Sequence, residues 1–118
     1  MEYKQKYDYG ELLKPIGDIV LKIDQDEYQG YSWVLFRDGD LFGYLQFGWG
    51  SCSGCDALQA CESKEEEDNL RTELATAVRW GTASETAAYL RTIDPSVSWG
   101  EEEMRRFVAE ALAVLEVV

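Results

Sequence analysis

Residues 31–37 (Tyr-Ser-Trp-Val-Leu-Phe-Arg) and 40–47 (Asp-Leu-Phe-Gly-Tyr-Leu-Gln-Phe) flank Asp38-Gly39, and this stretch constrains the fold more than any other. Asp-Gly supplies the positive φ angles that a two-residue hairpin turn needs, so the segment reads as a β-hairpin. With Asp38 and Gly39 as the loop, Arg37 pairs with Asp40, Leu35 with Phe42 and Trp33 with Tyr44 on one face. Phe36 with Leu41 and Val34 with Gly43 occupy the other. Both faces are apolar, so the sheet has to be covered on both sides or has to offer one side to a partner. Gly43, lacking a side chain, permits close approach. The β-branched, apolar residues 19–23, bounded by polar 24–30, are expected as a third strand.

The covering layers are expected to be helical. Ser63 and Glu66 have capping-box spacing ahead of Leu70, Leu74, Ala77 and Val78 on one stripe, with Gly81 as the stop. Thr82 and Glu85 repeat that spacing for a shorter helix through Ala87 and Leu90, ended by Asp94-Pro95. Ser98 and Glu101 start a last helix, in which Met104, Phe107, Val108, Ala111, Leu112 and Leu115 follow the spacing of one helix face. Near the beginning, Asp8 and Glu11 cap one or two turns through Leu12 and Leu13 before Pro15. The expectation is a single α+β domain over residues 1–118. It comprises a short N-terminal element, a three-stranded antiparallel sheet, a cysteine loop and three helices packed on the sheet. A chain of 118 residues, 46% hydrophobic and 13% aromatic, has material for one core. No apolar run approaches the roughly 18 residues of a membrane span. Met1 to Lys6 are polar, unlike the start of a signal peptide, so a soluble cytoplasmic protein is expected.

The chain has no histidine. Ser-His-Asp and Cys-His catalysis and imidazole proton shuttles therefore drop out, and a non-enzyme is expected. Eleven Lys and Arg against 23 Asp and Glu give a net charge of −12, spread along the chain. That balance argues against direct contact with nucleic-acid phosphates and favours a basic partner.

Gly48-Trp-Gly-Ser-Cys52-Ser-Gly-Cys55-Asp-Ala-Leu-Gln-Ala-Cys61 holds all three cysteines. Cys52 and Cys55 are spaced to share one metal and Cys61 could be a third ligand, with Asp56, Glu62, another carboxylate or water as the fourth. The iron–sulfur motif of some DNA glycosylases would need a cysteine where Leu45 stands, and a zinc deaminase would need a His or Cys upstream of Cys52. A redox reading has Cys52-Ser-Gly-Cys55 ahead of a helix that lowers the Cys55 pKa. A structural reading makes the thiols small hydrophobes, the glycines a tight crossover and Asp56 a helix cap. These three readings stay open here.

The acidic runs Glu65, Glu66, Glu67, Asp68 and Glu101, Glu102, Glu103 fall in helix first turns, where carboxylates meet the helix dipole favourably. With Asp24, Asp26 and Glu27 they could equally form a phosphate-like row for a basic surface. Residues 24–27 lack the glycine and closing glutamate of a calcium loop. Among the aromatics, Trp33, Trp49, Trp80 and Trp99, with Tyr28 and Tyr31, could build a recognition face, but most are expected in the core. Tyr3, Tyr7 and Tyr9 stud a terminus that wraps either its own domain or a partner.

Leu35-Phe-Arg-Asp-Gly-Asp40 and Trp49-Gly-Ser-Cys-Ser-Gly-Cys-Asp-Ala-Leu-Gln-Ala-Cys61 resemble segments of small acidic proteins of bacteria and their phages with no assigned activity. The likeness covers about a quarter of the 118 residues and transfers no functional residue. It implies a phage or mobile-element origin. By analogy, small acidic phage proteins often inhibit host defence, anti-CRISPR proteins among them. The function expected is therefore an acidic inhibitor or adaptor that engages a basic protein, such as a nucleic-acid-binding one, without touching nucleic acid or membrane. The alternative is a zinc-binding or thiol-redox domain built on Cys52, Cys55 and Cys61.

Overall fold

The hairpin forms, with its turn one residue later than the Asp-Gly pair suggests. The computed structural model describes residues 8–51, 54, 56–97 and 100–118. Strands β2 (Gly30–Asp38) and β3 (Leu41–Trp49) are antiparallel, with Asp38 opposite Leu41, Arg37 opposite Phe42, Phe36 opposite Gly43, Leu35 opposite Tyr44 and Trp33 opposite Gln46. Gly39 and Asp40 make the turn, and Gly39 has φ +62°. The residue without a Cβ takes the first loop position, where positive φ is required, and Asp38 is drawn into the strand. Every expected pair is thus replaced by one two residues further along β3. Because strand side chains alternate with period two, that slide leaves each on its expected face.

The sheet has four strands rather than three. β1 (Asp18–Asp24) pairs with β2 and β4 (Arg79–Gly81) with β3, all antiparallel, in the order β1-β2-β3-β4. β4 is cut from the stretch expected to finish the first long helix. Helix α2 (Lys64–Ala77) ends before Val78, which is extended, and Gly81 closes a strand instead of capping a helix. The cause lies on β3. A Cβ at Gly43 would come 2.6 Å from the Val78 side chain and 2.9 Å from Trp80. Its bare Cα lets Val78 bury itself and lets Trp80 lie 6.2 Å from Phe36, ring to ring. Packing of that kind overrides helix propensity.

Both sheet faces are covered. On the first, Ile23, Trp33, Leu35, Phe42 and Tyr44 meet α3 (Ala83–Leu90) and α4 (Glu101–Glu116) through Ala87, Leu90, Met104, Phe107, Ala111 and Leu115. On the second, Val34, Phe36, Leu45, Phe47 and Val78 meet Leu13 of α1 (Tyr9–Leu13) and Leu74 of α2. An irregularity between Ile19 and Leu21 lets β1 serve both: Ile19 turns to the second cluster, Leu21 and Ile23 to the first. Four of the six apolar positions expected on the last helix are buried and Val108 and Leu112 pack beside them. Each such burial contributes about 1.5–3 kcal/mol.

The described residues thus hold four helices, α1 being the five-residue turn expected at Leu12 and Leu13. Asp8 Oδ1 accepts from the Gly10 N–H at 2.8 Å, and a 3-10 turn containing Pro15 follows. The Thr82–Glu85 capping box is complete: Glu85 N–H donates to Thr82 Oγ1 at 3.1 Å and Thr82 N–H to Glu85 Oε1 at 3.0 Å. Ser63 caps α2 as expected, but the Glu66 carboxylate accepts from Glu62 N–H instead of closing the box. Helix α4 is capped by Gly100, with φ +75°, while Ser98 lies outside the described residues. No helix among the described residues is long and apolar enough to cross a membrane.

Candidate functional site

One buried glutamine organises the acidic end of the molecule. Gln25, 6% exposed, sits at the start of a loop whose next four residues are exposed. Its N–H donates to Tyr31 O at 2.9 Å, its Oε1 accepts from Tyr31 N–H at 3.2 Å, and its carbonyl accepts from Glu27 N–H at 3.0 Å. The side chain lodges between two glycines. A Cβ on Gly30 would fall 2.9 Å from Gln25 Cδ, and one on Gly100 3.1 Å from the same atom and 2.8 Å from Trp33. The β1–β2 loop and the start of α4 therefore close on each other, bringing Asp24, Asp26 and Glu27 to the same end as Glu101, Glu102 and Glu103.

Charge at that end is compensated only in part. Asp24 is engaged by Lys22 at 2.7 Å and by the Ser32 hydroxyl, and Glu101 by Arg105 at 2.6 Å. Asp26, Glu27 and Glu102 are exposed and have no ion pair among the described residues. Glu103 is half-buried, with Oε2 buried and lacking a hydrogen-bond partner. Between Glu27 and Gln29, the Tyr28 ring is 89% exposed. The same imbalance holds across the surface. Of nine described Lys and Arg, six (Lys14, Lys22, Arg71, Arg91, Arg105, Arg106) are held by carboxylates of the chain itself. Such exposed pairs add little stability, yet they leave the other carboxylates without counter-charge.

The third acidic run lies apart. Glu65, Glu66, Glu67 and Asp68 occupy the start of α2, on the other side of the sheet from α4. Asp68 pairs with Arg71 at 2.7 Å, and Arg71 Nε donates to Leu12 O at 2.6 Å, tying this turn to α1. Glu66 is committed to Glu62 N–H. The structure joins two of the three expected runs and gives the third a role in the fold.

The cysteine loop is organised by Asp56, 4% exposed. Its Oδ1 accepts from the Tyr9 hydroxyl and from Gly50 N–H, both at 2.9 Å, and its Oδ2 accepts from Gln59 N–H at 2.9 Å. Gln59 Nε2 returns to Gly50 O at 3.1 Å, and Leu58 N–H donates to Tyr9 Oη at 3.2 Å. Three donors offset the cost of burying the carboxylate. Asp56 thus caps a run of turns at residues 57–60; the helix expected after Cys55 is not there. Tyr9 wraps its own domain, its ring 4.8 Å from that of Phe47. Burial, reinforced by Asp56, holds its hydroxyl pKa well above the ordinary tyrosine value.

Cys52, Cys55, Tyr3, Tyr7 and Trp99 lie outside the described residues, so the expected metal or redox set is represented by Cys61 alone. The Cys61 Sγ–H donates to Ala57 O at 3.4 Å. Burial, then Glu66, Glu67 and Asp56, push its thiol pKa up. Among the described residues, no group of three or more His, Cys, Asp or Glu is placed to hold a metal.

Comparison of the chain with known protein families, with curated proteins and with solved structures yields no match.

Proposed function

We propose that this protein is a non-catalytic acidic binder, an inhibitor or adaptor, and that it docks on a basic surface of another protein. The contact is made by the end where the β1–β2 loop meets the start of α4. The observation that carries this reading is the combination of exposed, uncompensated Asp26, Glu27 and Glu102 with the exposed Tyr28 ring, all on a backbone clamped by Gln25. Carboxylates steer a basic partner and oppose nucleic acid and anionic membrane. A tyrosine adds contact area at low conformational cost. Glu65, Glu67 and Asp68 extend the negative field without sharing the contact.

The test is comparative capture from a cell extract. Wild type is set beside the Asp26→Asn/Glu27→Gln/Glu102→Gln triple variant, Tyr28→Ala, and a Glu65→Gln/Glu67→Gln control. A basic protein retained at low salt by wild type and by the control, and lost by the triple variant, by Tyr28→Ala and by wild type at high salt, supports the reading. Capture that ignores both salt and the triple variant overturns it.

A further inference from the structure

Arg79 stands out among the cations of this acidic chain. Its guanidinium carbon lies 4.0 Å over the Tyr89 ring. The guanidinium has neither an ion pair nor a hydrogen bond to any described residue. The ring holds the guanidinium carbon close and leaves the N–H donors of its fork available to a carboxylate. β4 carries it at the sheet edge opposite Tyr44, and Tyr44 packs on both Tyr89 and Phe107 at ring distances of 5.9 and 5.6 Å. Arg79 itself is exposed.

Two clefts flank Arg79. One, of about 330 Å³, is walled by Trp80 and Glu85, and the Glu85 carboxylate disfavours an anion there. The other, of about 420 Å³, is lined by Tyr44, Gln46, Tyr89, Ile93 and Met104 beside Arg79, with no carboxylate in its wall. Both volumes fall at the small-ligand end of the range for binding clefts. The second combines an acceptor-seeking fork, the Gln46 amide and the apolar side chains of Ile93 and Met104 in one lining. Glu85 in the adjoining cleft and the acidic first turn of α4 beside Met104 oppose an anion, whereas carboxylates more than about 10 Å away are screened at physiological salt.

We propose that this second cleft binds a small organic monocarboxylate with a flat, apolar body. The carboxylate sits on the Arg79 fork and the body lies against Ile93 and Met104. The site is independent of the acidic docking end.

The probe is benzoate, titrated calorimetrically into the full chain, with benzamide as the uncharged analogue. Wild type is expected to bind one benzoate saturably, and benzamide and the Arg79→Gln variant to lose about tenfold or more in affinity. Arg37→Gln serves as the control, because Arg37 also lies over an aromatic ring (Phe42, 5.3 Å) but lines neither cleft. It is expected to bind as wild type does. Arg79→Lys, which keeps the charge without the planar fork, is expected to bind weakly and gives the same answer should Arg79→Gln fail to fold. Benzoate that does not bind at millimolar concentration, binds Arg79→Gln or Arg79→Lys as well as wild type, or is matched by benzamide overturns the proposal.

Discussion

Gly100 couples the acidic loop to the rest of the molecule through a missing methyl group. Its φ of +75° is left-handed and a Cβ there would meet Trp33 at 2.8 Å, so Gly100→Ala combines backbone strain with a clash in the core. A loss of about 1–3 kcal/mol is expected from the strain alone. Urea unfolding measures the total, and faster amide exchange at residues 26–29 would show that the loop has come loose. Tyr9 makes a second prediction at this scale. Tyr9→Phe removes one donor from buried Asp56 and one acceptor from Leu58 N–H, at a cost of about 1–3 kcal/mol. Burial raises the hydroxyl pKa of both Tyr9 and Tyr44 above the ordinary value of about 10, with Asp56 adding to the first and Tyr89 to the second. A raised pKa in the folded state means stabilisation that is complete below that ordinary value and is lost as pH climbs above it. The melting temperature should therefore fall above pH 10, and less steeply in Tyr9→Phe than in wild type; identical slopes would remove Tyr9 from the account.

Helix α3 illustrates how an element can be read from its own residues. Thr82→Ala removes the hydroxyl half of its capping box, leaving the Thr82 N–H to Glu85 bond in place, and should cost about 0.5–2 kcal/mol in a thermal or urea melt. The Thr82 N–H, then its hydroxyl-side contact, holds the Glu85 carboxyl below the usual glutamate range. A lowered pKa gives stabilisation that is present above the ordinary value and disappears as pH falls through the folded one. Because the Thr82 N–H survives in Thr82→Ala, the variant should keep most of this loss of stability in acid, whereas Glu85→Gln should abolish it. α4 was equally legible, since six apolar residues at helical spacing leave little choice, and so were the two faces of the hairpin. What sequence could not supply was information held elsewhere in the chain. Val78 is buried whether it ends a helix stripe or enters a strand, so periodicity does not separate the cases; the open Cα of Gly43, on β3, does. The hairpin turn slid for a similar reason, because Asp-Gly allows two placements and only Gly39 settles which residue takes positive φ. Gln25 gave no signal at all. It is one polar residue between two aspartates, and its burial depends on Gly30 and Gly100 meeting across the fold.

Across the whole molecule, acidity acts on stability and on binding with opposite signs. The chain extends 44 Å along its longest axis, several times the roughly 10 Å over which charges interact at 0.1 M salt. Net charge therefore matters less than local charge, and at the end shared by the β1–β2 loop and α4 Asp26, Glu27 and Glu102 have no ion pair among the described residues. Holding them together opposes folding by self-repulsion. Added salt should accordingly raise the melting temperature while it weakens capture of a basic partner. The Asp26→Asn/Glu27→Gln/Glu102→Gln variant should do in low salt what salt does to wild type: melt higher, by about 0.5 kcal/mol or more, and hold the partner less well. Melting curves and capture at the same two salt concentrations decide the matter together. A variant that melts higher and still captures would reduce the acidity to a means of staying in solution. One that melts higher and loses the partner would mean that this end keeps its repulsion because binding requires it.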